Sequence, residues 1–365
     1  MITDNLTVLQ VTKDDIKTAI ENSGVNVDVT IDGYADLIRG LTPIINEAEV
    51  NFYSWMTFSG STASDVAPFE LFYDGNNGQP YDGKRDYVNM FSGCKNITHS
   101  PKLPDTKPYA CAGMFSGCTS LIEAPNIDTS HCYLFDYMFE NCTSLTTCHA
   151  YAMKKRYNNY GASARGMFKG CTSLTTIPIG YFGNAEWLNA AYEGCTGLTS
   201  IDYLNMPDVK YIEGMFKGCT SLTTVTNITS KTANYADEMF KDCTSLVSVE
   251  FSMPDLHTTA RMFDGCINLT TIGKLDFSNI WDSTSVSNMF RGCVNLTNVG
   301  GLTNFKGPLD LRYTTKLTSQ SLLNIANTIA EGSTSSSKIY LNEGLGLYEY
   351  EVTMFTNKGW TVYIV

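Results

Sequence analysis

Gly166-Met167-Phe168-Lys169-Gly170-Cys171-Thr172-Ser173-Leu174-Thr175-Thr176-Ile177-Pro178-Ile179-Gly180 is the stretch that decides the fold. Phe168, Cys171 and Leu174 recur every third residue, which puts them on one face of a short helical or 3₁₀ turn. Gly170 lets the backbone turn tightly before the thiol. Met167 beside them fills gaps as a flexible thioether. The following Leu174-x-x-Ile177-x-Ile179 reads as a strand, with Ile177 and Ile179 inward and Thr176 and Pro178 outward. Leu198, Ile201 and Tyr203, and Leu246, Val249 and Phe251, are inward sets by the same rule.

The phrase Met-Phe-x-Gly-Cys, with variants, occurs nine times, with cysteines at 94, 118, 142, 171, 195, 219, 243, 266 and 293. Glu140-Asn141, Ala191-Tyr192 and Asp242 are mild departures. The intervals are 24, 24, 29, 24, 24, 24, 23 and 27 residues. A near-constant period of this length means stacked supersecondary units rather than a globular catalytic core. At the strand spacing, nine rungs make an array about 40 Å long.

The nine phased cysteines are expected to form a buried column behaving as a small apolar residue. No CxxC-type pairs converge as zinc ligands, and Cys111, Cys132 and Cys148 lie outside the column. The Thr-Ser pairs after most of the cysteines are expected to hydrogen-bond the turn backbone. A net charge of −12 argues against a nucleic-acid backbone and against anionic lipid. No run approaches a membrane span. The first residues lack the basic and apolar regions of a leader, which points to folding in a cytoplasm.

The outward strand residues assemble into one small, polar, mildly acidic face. It carries Glu123, Pro125, Thr147, His149, Thr176, Pro178, Ser200, Asp202, Thr224, Thr226, Ser248, Glu250, Thr271 and Gly273. The two long intervals place insertions at 151–160, with Lys154, Lys155, Arg156 and Tyr157, and at 278–287, with Trp281. Insertions in stacked repeats map to loops on one face, often the binding one. Glu123, His149, Lys154, Lys155, Arg156, Tyr157, Asp202, Glu250 and Trp281 are therefore the candidate partner-binding residues.

The ends differ in composition. Thr12–Ser23 and Asp32–Leu41 read as short helices in an anchoring module, 1–45. Residues 46–88, rich in aromatics, read as an N-terminal cap, since solenoids need their open ends covered. The repeats occupy 89–300 and a C-terminal cap 301–365. Within that cap, 317–329 reads as an amphipathic helix, 338–341 as a strand, 350–357 as a helix and 360–365 as a last strand.

The phrase Met-Phe-x-Gly-Cys-Thr-Ser-Leu-Thr-x-Ile-Pro resembles the BspA-like leucine-rich repeats of bacterial surface and phage proteins. The stretches from Leu317 and Asn357-Lys-Gly-Trp-Thr-Val362, and more weakly Ile16–Val25 with Tyr34–Ile38, resemble the cap and N-terminal modules of phage proteins. The resemblance implies an α/β leucine-rich-repeat solenoid, a parallel sheet on one face and short helices on the other, and adhesion or virion architecture without catalysis or cofactor. The leading expectation is a phage virion protein, a tail fibre or similar appendage. Its partners would be other virion proteins through residues 1–45, a host-surface polysaccharide or protein, and further copies of the chain. A bacterial cell-surface adhesin and a purely structural virion component are the alternatives. An enzyme is disfavoured. The four histidines share no spacing, and no nucleophile elbow, P-loop or zincin motif occurs. Glu123 and Asp202 should lie about 14 Å apart, too far for a hydrolytic pair at about 5–9.5 Å.

Overall fold

The computed structural model describes residues 87–100, 107–149, 151–155, 160–177, 182–280, 284–332 and 337–365. The helices read at 12–23 and 32–41, nearly all of the 46–88 segment, and Arg156, Tyr157, Pro178, Ile179 and Trp281 lie outside these residues.

Each Met-Phe-x-Gly-Cys phrase is a pair of tight turns. Ser92, Cys94, Ser116 and Cys118 each donate a backbone N–H three residues back, to Asn89, Phe91, Gly113 and Phe115. The residue before Met is left-handed in every repeat, from Asn89 (φ 55°) through Tyr137 (58°) and Glu238 (57°) to Asn288 (55°). So is the Gly position, where Asn141 (58°) and Asp242 (61°) stand in. Asn and Asp are the non-glycine residues that tolerate this region best, so those two departures keep the turn. The expected face of short helices is thus a face of single 3₁₀-type turns. Among the described residues, the α-helices lie in the C-terminal segment.

Three ladders hold the rungs together. Along the turns, Phe91 N–H donates to Met114 O at 2.8 Å and Gly93 N–H to Ser116 O at 2.6 Å, and later rungs repeat the pattern. After the Leu of successive rungs, continuously from Ser200 onward, runs a parallel sheet. It contains β3 (Ser200–Ile201), β4 (Leu204–Asn205), β5 (Thr224–Thr229), β6 (Ser248–Ser252), β7 (Thr271–Asp276) and β8 (Asn298–Thr303). Earlier rungs extend it as single bridges, His99 to Glu123 to Thr147. Before each Met runs a second parallel ladder. It includes β1 (Ala162–Ser163) and β2 (Ala185–Trp187) and continues through the bridges Trp187, Tyr211, Tyr235, Thr258.

The inward pattern of the first sheet departs from strict alternation. Asn227 (φ 53°) inserts a bulge, so Val225 and Ile228 are buried, three apart. Ile201 and Leu204, Ile272 and Leu275, and Val299 and Leu302 follow the same step. Tyr203, expected inward, is therefore 57% exposed, and Leu204 takes its place in the core. Ile177 is only partly buried. In β6, Val249 and Phe251 keep the expected two-residue step, and the register against β5 shifts between Val225 and Ile228. The unit containing β6 is the 23-residue one, a residue short because it lacks the bulge.

Inside, columns run the length of the stack. The nine phased cysteines are fully buried. Eight of them donate Sγ–H to the Phe or Tyr carbonyl of the preceding rung at 3.0–3.2 Å, from Cys118 to Phe91 through to Cys293 to Phe263. Each such carbonyl also accepts the N–H of its own rung's cysteine, as Phe115 O does from Cys118 N. Burial pushes the Cys142, Cys195 and Cys243 thiols up to about 12, so they stay protonated. All twelve cysteines are free. Beside them Phe91, Phe115, Phe139, Phe168, Tyr192, Phe216, Phe240, Phe263 and Phe290 stack with centroids 5.1–5.9 Å apart. Each such pair adds about 0.5–1.5 kcal/mol beyond area burial. The threonines bind the rung before rather than their own turn: Thr143 Oγ1 donates to Thr119 O and Thr172 Oγ1 to Thr143 O, both at 3.2 Å.

At the C-terminal end α1 (Ser319–Thr328) lies on β8, capped by the Thr318 side chain, with Leu322, Ile325 and Ala326 inward. Then β10 (Lys338–Leu341) sits between β9 (Leu309–Leu311) and β11 (Thr361–Ile364), all parallel. α2 (Glu349–Asn357) packs on β11 and α1.

Candidate recognition surface

The outward side of the first sheet carries Glu123, Thr147, Asp202 and Glu250 as expected, whereas Pro125, expected there, is buried. Glu123 and His149 approach to 3.5 Å across neighbouring rungs, both exposed. Such a pair is worth about 0–1 kcal/mol. Asp202 and Glu250 are exposed, and Ser200 Oγ donates to the Asp202 carboxylate at 3.4 Å. These four residues share a sheet face but form no converging group. Among the described residues no cluster of His, Cys, Asp or Glu could hold a metal. No helix there is long and apolar enough to cross a membrane.

The 151–160 insertion is partly structural. Tyr151 is buried, stacks on Phe135 and Phe139, and donates its hydroxyl to Pro125 O at 2.6 Å. Asn184 Nδ2 donates to Met153 O at 2.9 Å, tying the segment to the next rung. Lys154 and Lys155 are exposed, and Lys155 reaches Asp208 at 3.6 Å.

The insertion leads into a feature of the second ladder that the sequence reading missed. Tyr160, Trp187, Tyr211 and Tyr235 form an aromatic column on its outward side, at centroid distances of 6.4, 5.8 and 4.7 Å. The last two pairs lie within 7° of parallel. His257 closes the column edge-on at 6.3 Å from Tyr235. The Arg165 guanidinium lies 5.5 Å from the centre of the Trp187 ring, a cation–π contact worth about 0.5–1 kcal/mol at an exposed site. Unlike the phenylalanine column, these rings reach solvent, and Tyr160 is 57% exposed.

Polar groups flank the column. Glu186, buried, accepts Gly161 N–H at 2.8 Å and the Lys210 ammonium at 3.1 Å. That hydrogen bond raises Lys210 above its ordinary value. Two residues past each ring come Asn189, Glu213 and Asp237, with the Asn189 amide donating to Glu213. Burial raises the Glu213 and Asp237 carboxyls above the usual range, only partly offset by hydrogen bonds such as that from Ala260 N–H to Asp237.

The signal was periodic. Trp187, Tyr211 and Tyr235 all stand four residues before the Met position, 24 residues apart. Only a register for the segments before Met-Phe turns that spacing into one face.

Stacked parallel rungs with a Leu-Cys-Phe core define a leucine-rich-repeat solenoid. Residues 87–199 and 185–307 match the BspA type leucine rich repeat region, in six copies, and the chain belongs to that family. No curated protein matches. Among solved structures, a leucine-rich repeat protein from Bacteroides ovatus is 18% identical, over 77% of this chain and 81% of that one, with a TM-score of 0.34. A leucine rich cell surface protein from Faecalibacterium prausnitzii is 19% identical, over 60% of this chain and 57% of that one, with a TM-score of 0.36.

Proposed function

We propose that this chain is a non-catalytic recognition protein acting at a bacterial cell surface, with the second ladder as its contact face. The observation that carries this reading is the aromatic column from Tyr160 to Tyr235. Aromatic rings whose full burial would stabilise the fold reach solvent over successive rungs, with Tyr160 exposed and Trp187, Tyr211 and Tyr235 partly buried, and aromatic surface left open in this way marks interaction sites. Membership of the BspA-type family supports the bacterial-surface setting. The virion appendage reading draws on the resemblance of residues 1–45, the repeats and the terminal cap to phage proteins and on the first residues lacking the pattern of a leader, and nothing in the family match adds to it. The first sheet, with its dispersed Glu123, His149, Asp202 and Glu250, is the weaker contact candidate.

The test uses the full chain, fluorescently labelled, on fixed bacterial and epithelial cells. Saturable binding that falls at least tenfold in Tyr211→Ala combined with Tyr235→Ala, with unchanged circular dichroism, is expected. Absence of binding, or equal binding by the variant, contradicts the proposal.

A further inference from the structure

The chemistry of the ribbon narrows what it can hold. Along the second ladder the backbone is fully used: Leu188 N–H donates to Tyr211 O, Tyr211 N–H to Glu186 O, Ile212 N–H to Tyr235 O and Tyr235 N–H to Lys210 O. A peptide laid there finds no strand edge to pair with, which removes the main-chain bonds that give extended peptides their affinity. What the face offers is side chains alone.

Those side chains mix donors and acceptors without a dominant sign. Arg165 and Lys210 alternate with Glu213 and Asp237, and Asn189 lies among them, while Glu186 beneath is buried against Lys210. A polyanion meets a carboxylate, and a polycation a guanidinium or ammonium, within a rung or two, and such like-charge contacts are costly. Planar amide, carboxylate and guanidinium groups set beside aromatic rings suit a neutral ligand rich in hydroxyls. The rings of Trp187 and Tyr211 have both faces taken by their neighbours in the stack, and they present edges. Among the described residues Tyr160, at the end of the column and 57% exposed, stacks on Trp187 alone and is the ring with a face to offer.

We infer that the ribbon binds a neutral, linear polysaccharide lying along the solenoid axis. One sugar packs its C–H side on Tyr160, and the following hydroxyls bond to the Tyr211 and Tyr235 hydroxyls and to the row from Arg165 to Asp237. This rests on the recognition reading and gives it a ligand class.

The experiment is affinity electrophoresis of the full chain in native gels containing dextran, pullulan, laminarin or glucomannan, with alginate and poly-lysine as charged comparators. Retardation by at least one neutral polysaccharide is expected. It should weaken at least fivefold in Tyr160→Ala, and also in Tyr211→Phe with Tyr235→Phe, which keeps the stack and removes only hydroxyls. Retardation by none of the four, retardation only by a charged polymer, or equal retardation of the variants overturns the inference. Cell binding separates the two levels. Loss after periodate treatment of the cells supports a glycan ligand. Loss only after protease treatment overturns it while the recognition reading stands, and no binding to untreated cells removes both.

Discussion

Trp187 and Tyr211, 24 residues apart in the chain, stack with centroids 5.8 Å apart and planes 7° from parallel. The register of the second ladder makes the contact: Trp187 and Tyr211 are bridge partners, so their side chains leave the same side of adjacent rungs. Trp187→Ala removes this contact, the one with Tyr160 and the guanidinium contact of Arg165. A loss of about 1–3 kcal/mol is expected, read as a lower urea midpoint with an unchanged slope.

Tyr192 occupies the phenylalanine column, stacked 5.3 Å from Phe168 and 5.5 Å from Phe216. Its hydroxyl is buried without a hydrogen-bond partner among the described residues. An unsatisfied buried hydroxyl costs about 1–3 kcal/mol. Tyr192→Phe should therefore stabilise the protein by about that amount in urea denaturation. Destabilisation would mean that the hydroxyl has a partner.

Gly166 (φ 56°) precedes Met167, and an added Cβ would come within 2.5 Å of the Tyr137 ring. Tyr137 is itself left-handed at 58°. Gly166→Ala adds a left-handed cost of about 1–2 kcal/mol to that clash. Tyr137→Gly alone should stabilise by about 1 kcal/mol, and in combination it should recover most of the Gly166→Ala loss. A double-mutant cycle with no coupling would contradict this.

Asp237 and Glu238 are neighbours with opposite pH behaviour. Burial raises the Asp237 carboxyl, so its share of stability is present at low pH and fades as pH rises through its folded value. Burial would raise Glu238 too, but hydrogen bonds from Lys217 and Lys241 outweigh it and hold it low. Its share is present above about pH 4 and fades as pH falls through the depressed value. Asp237→Asn should flatten the stability profile on the rising side of pH 4, and Glu238→Gln should flatten it on the acid side. Guanidinium midpoints at pH steps between 3 and 7 read both.

The column thiols are buried and protonated, so a thiol reagent at neutral pH should label them only as fast as the protein unfolds. Rapid labelling of the native protein would contradict the stacked core.

Much of the stack was legible because Phe, Cys and Leu recur at one phase and each must face inward. Helix α1, through Leu322, Ile325 and Ala326, showed its face for the same reason. Tyr203 misled, because the alternation rule has no place for a residue such as Asn227 that bulges the strand and resets the inward position. The 23-residue unit held a clue to that bulge. The ribbon was hidden for a different reason: the segments before Met-Phe share a position but not a residue type. Glu123, His149, Asp202 and Glu250 were placed on a real face, yet one where nothing converges. Lys155 was read as a loop cation, and its partner Asp208 lies two repeats on, beyond any local pattern.

Hydroxyl-radical footprinting of the full chain, free and bound to the fixed cells or the retarding polysaccharide, separates the two faces directly. Tyr203, 57% exposed on the first sheet, serves as the internal comparator for the ribbon tyrosines. Protection of Tyr160, Tyr211 and Tyr235 with Tyr203 unchanged is the predicted result. Protection of Tyr203 with the three ribbon tyrosines unchanged would move the contact surface to the first sheet and contradict the role of the second ladder.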